Sequence, residues 1–366
     1  MKEAIVKKDT SVEIVDSPIP KPGPDDVLIK VIIAGTNPKD WKIPVWMNKE
    51  INTGDDIAGI VEAVGENVVG FHQGDRVAAF HEMMTPHGAF AEYAIAPYWT
   101  TFHIPAKVSF EEAATIPLAA YTSVCALFQE LEIPEPWSPL AKTETKRPLL
   151  IYGASTATGA YAIKLAAAAN VHPIIAVGSQ RSAFVKPFLD ENKGDALVDY
   201  TTYGTDEELI KAIQEAFKKS GAPDGRCWKA FDSVSEDATV RLVTKAIAGP
   251  PDDSGRKPKM TNILLKSSIE GSDPSVDIVY SMVGQVHDQL SIQEAGKKDE
   301  RNKTFGAVWA AAFARGLREG WFTAHPYTIG KNGLEGLSEG LKGLKEGKIR
   351  GQKFLTVIGE TPGVSS

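Results

Sequence analysis

Two short stretches hold residues whose types and spacing suit chemistry. The first, LLIYGASTATGAYAIKLA (149–166), runs from an apolar segment through small residues into an alanine-rich helical one. A strand leaving through such a turn into a helix presents open amides and partial positive charge, which suits a pyrophosphate. The glycines of a dinucleotide fingerprint would fall at 154, 156 and 159. This chain has Ala154, Thr156 and Gly159, with Gly153 just ahead. Gly153 and Ala154 permit a tight exit, and Gly159 permits close helix–strand packing. The hydroxyls of Ser155, Thr156 and Thr158 can donate to phosphate where glycine would bring backbone, and Ala157 completes the small run. A plain structural corner has the same look, because small residues are common at strand ends.

The second stretch, AVGSQRS, ends the next strand with Gly178 where an NAD enzyme sets a carboxylate on the ribose 2′-hydroxyl. Ser179 and Arg181 follow at once. A hydroxyl and a guanidinium in place of an anion suit a 2′-phosphate, so the expected cofactor is NADPH. The alternative for Arg181 is a solvated residue of a first helical turn. Tyr200, ending the third strand, lies along the same edge and can close over that phosphate. Asp232 and Ser233 end a further strand facing the crevice. Tyr280, Met282 and Val283 in VYSMVG either line a nicotinamide pocket or form an apolar strand edge.

The elements that position these residues divide the chain. At 366 residues, two domains are expected. The first hundred residues read as short strands and turns, including DVLIKVIIAG (26–35), DIAGIVEAVG (56–65), GDRVAAF (74–80) and GAFAEYAIA (88–96), and suggest a compact β domain. A helix over 109–131 opens on a capping box, Ser109 with Glu112, and Pro117 should kink or divide it. From 149 strands and helices alternate: 149–152, 173–178, 196–200, 229–234 and 262–266 are the expected strands, with a helix rich in apolar positions after the second. That alternation predicts a doubly wound parallel sheet. A helix over 305–321, an amphipathic segment with Leu334, Leu337, Leu341 and Leu344 on one face, and a closing strand over 354–358 form a last lobe expected to pack on the β domain.

A formal net charge of −7 argues against nucleic acid as a partner. No window reaches about 18 uninterrupted apolar residues, so no membrane span is expected. Two cysteines, Cys125 and Cys227, and a strand-like start without a secretory core fit a reducing cytoplasm.

Several motifs in order, AGTNPKDWK (34–42), GDDIAGIVEAVGENVVGFHQGDRVAA (54–79), GAFAEYA (88–94) and the turn at 153–159, make the chain similar to the medium-chain dehydrogenase/reductase superfamily over nearly its whole length. Within it, IPLAAYTSVCALFQ (116–129), PEPWSP (134–139) and LEGLSEGLKGLKEGKIRGQKF (334–354) resemble the zinc-independent, quinone reductase-like branch, and in particular the trans-acting enoyl reductases that serve fungal polyketide synthases. The resemblance implies an α/β protein with a GroES-like β-rich catalytic domain (1–125, completed by 301–366) and a Rossmann cofactor domain (126–300). Where zinc alcohol dehydrogenases carry a cysteine and a later Gly-His-Glu, this chain reads Asn37 to Asp40 and Gly54-Asp55-Asp56, so no metal is expected. His81, Glu82 and His87 lack HExxH spacing and read as loop residues.

Reduction of an activated double bond needs donors preorganised at the carbonyl oxygen that gains charge. Lys42 in NPKDWK and Thr122 in AAYTS are the candidates. Otherwise Lys42 is a surface charge and Thr122 a hydroxyl bonded to its own helix. Asn37, Asp40 and Asp56 are expected to shape structure. Trp41, Trp46 and Trp309 either line an acyl channel or belong to the core. The resemblance implies an NADPH-dependent reductase of an enone or enoyl thioester, free or held on a carrier protein, acting as a monomer or homodimer. An NADPH:quinone oxidoreductase and a non-catalytic NADPH-binding accessory protein are the alternatives.

Overall fold

The computed structural model describes residues 1–264, 269–287 and 300–364, in two compact units: Met1–Tyr121 with Gly284–Ser366, and Thr122–Val283. The first unit begins with β1 (Lys2–Val6), β2 (Val12–Asp16), β3 (Asp26–Gly35), α1 (Pro38–Trp46), β4 (Asp56–Val64), β5 (Arg76–Phe80), β6 (Tyr93–Pro97) and β7 (Thr101–His103). The expected long helix is divided at Pro117 into α2 (Phe110–Ala114) and α3 (Pro117–Val124), followed by a π-helical turn over Cys125–Glu130. Its capping box is present, with Glu112 N donating to Ser109 Oγ at 3.1 Å and Ser109 N to Glu112 Oε2 at 2.9 Å.

The second unit carries β8 (Leu149–Tyr152), α4 (Ala157–Ala168), β9 (Ile174–Gly178), β10 (Ala196–Asp199), α5 (Asp206–Lys219), β11 (Lys229–Asp232), α6 (Asp237–Ile247), β12 (Lys259–Asn262) and β13 (Asp277–Tyr280). All six strands are parallel, in the order β10-β9-β8-β11-β12-β13. The order reverses between β8 and β11, as a doubly wound sheet requires. Strands buried on both faces explain the unbroken apolar runs at 149–151 and 174–177. Two local expectations shift. The strand expected over 262–266 runs over Lys259–Asn262, where β11 and β13 pair with it; residues 265 and 266 lie outside the described residues. The helix expected after β9 is a 3₁₀ segment, Gln180–Phe188; Pro187 lacks an amide and disfavours α geometry at Lys186.

The chain then returns to the first unit through α7 (Glu300–Glu319), β14 (Tyr327–Ile329), α8 (Leu337–Lys345) and β15 (Lys353–Val357). A sheet of order β14-β15-β3-β4-β5-β7 results, with β6 also on β3. The last lobe packs on the β domain as expected. Leu334, Leu337 and Leu341 join the core with Val27, Ile29, Val61 and Phe90, while Leu344 is half-buried. Trp309 is fully buried beside Phe305 and Phe313, which makes it core. Among the described residues no helix is long and apolar enough to cross a membrane.

Leu341 is completely buried in that core. Leu341→Ala should cost about 2–5 kcal/mol through lost burial and a residual cavity. A clearly lowered denaturation midpoint is expected in thermal melts; an unchanged one would mean that α8 does not seal the β domain.

Candidate functional site

In the second unit, the turn after β8 is built around two glycines. Gly153 has φ +89°, and a Cβ there would run into Ser233 Oγ. A Cβ on Gly159 would meet the carbonyl oxygen of Gly153. Thr156 caps α4: its Oγ1 accepts from Gly159 N at 2.9 Å and lies 2.8 Å from Ser233 Oγ and 3.2 Å from Thr158 Oγ1. Ser233 Oγ donates toward the carbonyls of Tyr152 at 2.7 Å and Gly153 at 3.2 Å. The Thr156 hydroxyl thus works inside the turn. The amides of Ala157 and Thr158 have no carbonyl four residues behind them within the helix. Ser155, Ala157 and Thr158 are half-buried; Ala154 is fully buried.

The structure brings the 2′-phosphate candidates to one sheet edge. Gly178 pairs with Asp199 across β9 and β10, so Ser179 and Tyr200 each follow the last paired residue of adjacent strands. Ser179 caps the 3₁₀ segment through Arg181 N at 3.3 Å, Arg181 is exposed, and Tyr200 is 41% exposed. Met282 and Val283 follow β13 and are half-buried. Asp232 is turned inward: its carboxylate accepts from Val234 N, Ser235 N and Thr239 Oγ1, and burial pushes its pKa up despite those bonds. Thr122 is buried on α3. The neighbouring Ser123 Oγ donates to Thr158 O at 2.7 Å, tying that helix to the turn after β8. Ser123 carried no signal in the sequence, since only the fold gives its hydroxyl a partner.

The first unit holds a cluster of buried charges that sequence reading found only in part. Asp56, with no exposure, accepts from Leu118 N at 2.6 Å, from Asn37 Nδ2 at 2.8 Å and from the Lys353 ammonium. Lys353 also donates to Asn37 Oδ1 at 2.9 Å. Beside it, the Lys39 ammonium pairs with Asp40 at 2.9 Å and with Asp55, and donates to the carbonyl of Thr53. Asp40 also accepts from Asn37 N at 2.7 Å, closing the first turn of α1. Burial pushes Asp40 up to about 7 and Asp55 up to about 6, with Lys39 opposing both. Burial pulls the Lys39 ammonium down, but Asp40 and Asp55 outweigh it and leave its pKa raised. Lys42, one turn along α1, is half-buried, with its ammonium 5.4 Å from the Trp41 ring centre and 5.6 Å from that of Trp46. Trp46 is 64% exposed.

His81 is buried, with Nδ1 2.6 Å from Ile95 O and Nε2 3.2 Å from Thr85 Oγ1. Among the described residues, no group of three or more His, Cys, Asp or Glu has a metal-holding arrangement.

The alcohol dehydrogenase GroES-like domain family matches residues 23–106. The chain is 38% identical over 331 residues to trans-enoyl reductase fsr4 of Gibberella fujikuroi, covering 90% of each chain. To trans-enoyl reductase resD of Aspergillus sclerotiorum it is 31% identical over 365 residues, covering 93% of this chain and 95% of the other. Among solved structures, a putative zinc-dependent alcohol dehydrogenase protein from Rhizobium etli superposes with a TM-score of 0.76 at 19% identity, covering 98% of both chains. CurK enoyl reductase superposes with a TM-score of 0.70 at 17% identity, covering 97% of this chain and 98% of that one. At such identities the structural likeness concerns the fold.

The buried carboxylates carry a consequence for stability. Asp40 and Asp55 hold protons more tightly when folded than in the unfolded chain, where carboxylates titrate near 4. Their contribution is therefore full in acid and is lost as pH rises through about 6 to about 7. Urea unfolding between pH 4 and pH 8 should show a smaller decline for Asp40→Asn than for the native protein. Parallel curves would show that Asp40 ionises as it does in water.

Proposed function

Because the chain belongs to the medium-chain dehydrogenase/reductase superfamily and groups with fungal trans-enoyl reductases, we propose that it is an NADPH-dependent, metal-independent reductase of activated C=C bonds. Its substrates are enoyl thioesters or α,β-unsaturated ketones, free or on a carrier protein, and it works in the cytoplasm. The observation that carries the reading is the turn at 153–159, where two glycines, a capped helix and Ser233 meet at the sheet's switch point.

The residues present fit the cofactor. Gly153 and Gly159 let the turn close on Ser233 and on the Gly153 carbonyl, where a Cβ would collide, and the first amides of α4 supply donors for its phosphates. Gly178 contributes no anion, while Ser179, exposed Arg181 and Tyr200 line the edge suited to a 2′-phosphate. Met282 and Val283 supply apolar surface for the nicotinamide. When bound, NADPH supplies the hydride. The chain's own work is to orient and polarise. Lys42 offers a cation to the carbonyl oxygen that gains charge, and Thr122 a hydroxyl donor. Metal independence is supported by the ammonium groups of Lys39 and Lys353, which already engage Asp55 and Asp56.

Purified protein should oxidise NADPH with crotonyl-type thioesters, followed at 340 nm, and a panel of quinones should turn over more slowly. Absence of turnover with every enone and enoyl thioester would refute the reading. Arg181→Ala should weaken NADPH about 10- to 100-fold in calorimetry, the loss of one charge-assisted contact, with little change for NADH. Equal weakening of both would remove Arg181 from the 2′-phosphate.

A further inference from the structure

Lys39 and Lys42 lie three residues apart on α1, within reach of one helical face. Lys39 is only 15% exposed, and its partners Asp40 and Asp55 are 0% and 1% exposed. A charge buried to that degree is stable only where its partners are, because leaving would strand both carboxylates. The ammonium therefore fixes the front of α1 to the 53–55 segment at two points, the Asp55 carboxylate and the Thr53 carbonyl, while its contact with Asp40 stays within the first turn of α1. Thr53 Oγ1 adds a bond to the carbonyl of Asp40 at 3.1 Å. The rear of the helix is differently placed. It contains Pro44, and Val45, Trp46 and Met47 are 51%, 64% and 46% exposed. Buried Ile43, and Trp41 beneath Lys345 at 5.8 Å, hold one face of α1, but apolar contacts tolerate sliding along the axis where the Lys39–Asp55 ion pair with its hydrogen bonds to and from Thr53 does not.

We propose that Lys39 is a positioning residue, clamped between Asp40 and Asp55 so that Lys42 is held in its place one turn along α1; the inference rests on the role given to Lys42 above. Lys39 touches no substrate. It acts by setting where α1 begins, and Lys42 moves with the helix because its ammonium lies over Trp41 and Trp46 of the same element.

A double-mutant cycle on the full chain separates this role from a general structural one. With crotonyl thioester and saturating NADPH, Lys39→Met should lower kcat about 10- to 100-fold, the effect of a misplacement near 1 Å, with KM nearly unchanged. In the Lys42→Ala background the same substitution should lower kcat less than about twofold, and Lys39→Arg should recover most of the native rate. If Lys39→Met costs the same factor with and without Lys42, or leaves kcat unchanged, the inference is overturned while the reading of Lys42 stands. A Lys42→Ala enzyme with native kcat would instead remove the role of Lys42, and the inference with it. Should Lys39→Met fail to fold, Asp55→Asn takes its place in the cycle, with the same outcomes deciding.

Discussion

The hydroxyls of Thr156 and Ser233 lie 2.8 Å apart, one after β8 and the other after β11. These neighbouring strands send their chains to opposite sides of the sheet, so a crevice opens between the two turns. The hydroxyl pair closes the bottom of that crevice. It demands that Gly153 carry no side chain, because Ser233 Oγ occupies the space, and that Gly159 approach the Gly153 carbonyl. A threonine in place of the fingerprint's middle glycine is therefore no loss of architecture. Its hydroxyl caps α4 through Gly159 N and bonds across the switch point, leaving the next amides of the helix directed into the turn.

The first unit is organised by buried charge. Asp56 joins residues distant in sequence: Asn37 before α1, the amide of Leu118 at the start of α3, and Lys353 on β15. The last lobe is thereby fixed to the β domain by an ion pair as well as by leucines. Breaking one member would leave the others uncompensated in a dry interior, which makes such clusters intolerant of single changes. Their value lies in geometry more than in net stability, because the same volume filled with apolar residues would pack as well.

The parts legible in the sequence were those set by local rules. The apolar runs of β8 and β9, the capping box at Ser109, the division at Pro117 and the leucine face at 334–341 all follow from periodicity or from a single residue's stereochemistry. The small residues of the turn after β8 were visible for the same reason, whereas the cap that Thr156 gives α4 was not. What stayed hidden depends on partners far along the chain. Lys39 and Lys353 look like ordinary surface lysines until Asp55 and Asp56 are brought against them, and Lys353 lies 297 residues from Asp56. The position of β12 is of this kind too: Ile263 and Leu264 are the more apolar residues, but pairing with β11 and β13 selects Lys259–Asn262.

Charge balance connects the cluster to the proposed metal-free chemistry. Lys39 and Lys353 supply two positive charges, and Asp40, Asp55 and Asp56, if all ionised, supply three negative ones. One uncompensated charge would remain in an interior where Asp40 and Asp56 have no exposure at all. Because burial pushes Asp40 up to about 7, its carboxylate is only partly ionised near neutral pH, which lessens the excess while Lys39 stays beside it. In the proposed metal-free reading, the carboxylates of Asp55 and Asp56 are already engaged by the ammonium groups of Lys39 and Lys353. Where the superfamily's zinc enzymes carry a cysteine and a Gly-His-Glu, this chain has Asn37–Asp40 and Gly54-Asp55-Asp56, and positive charge reaches the carboxylates from Lys39 on the helix that bears Lys42 and from Lys353 on β15.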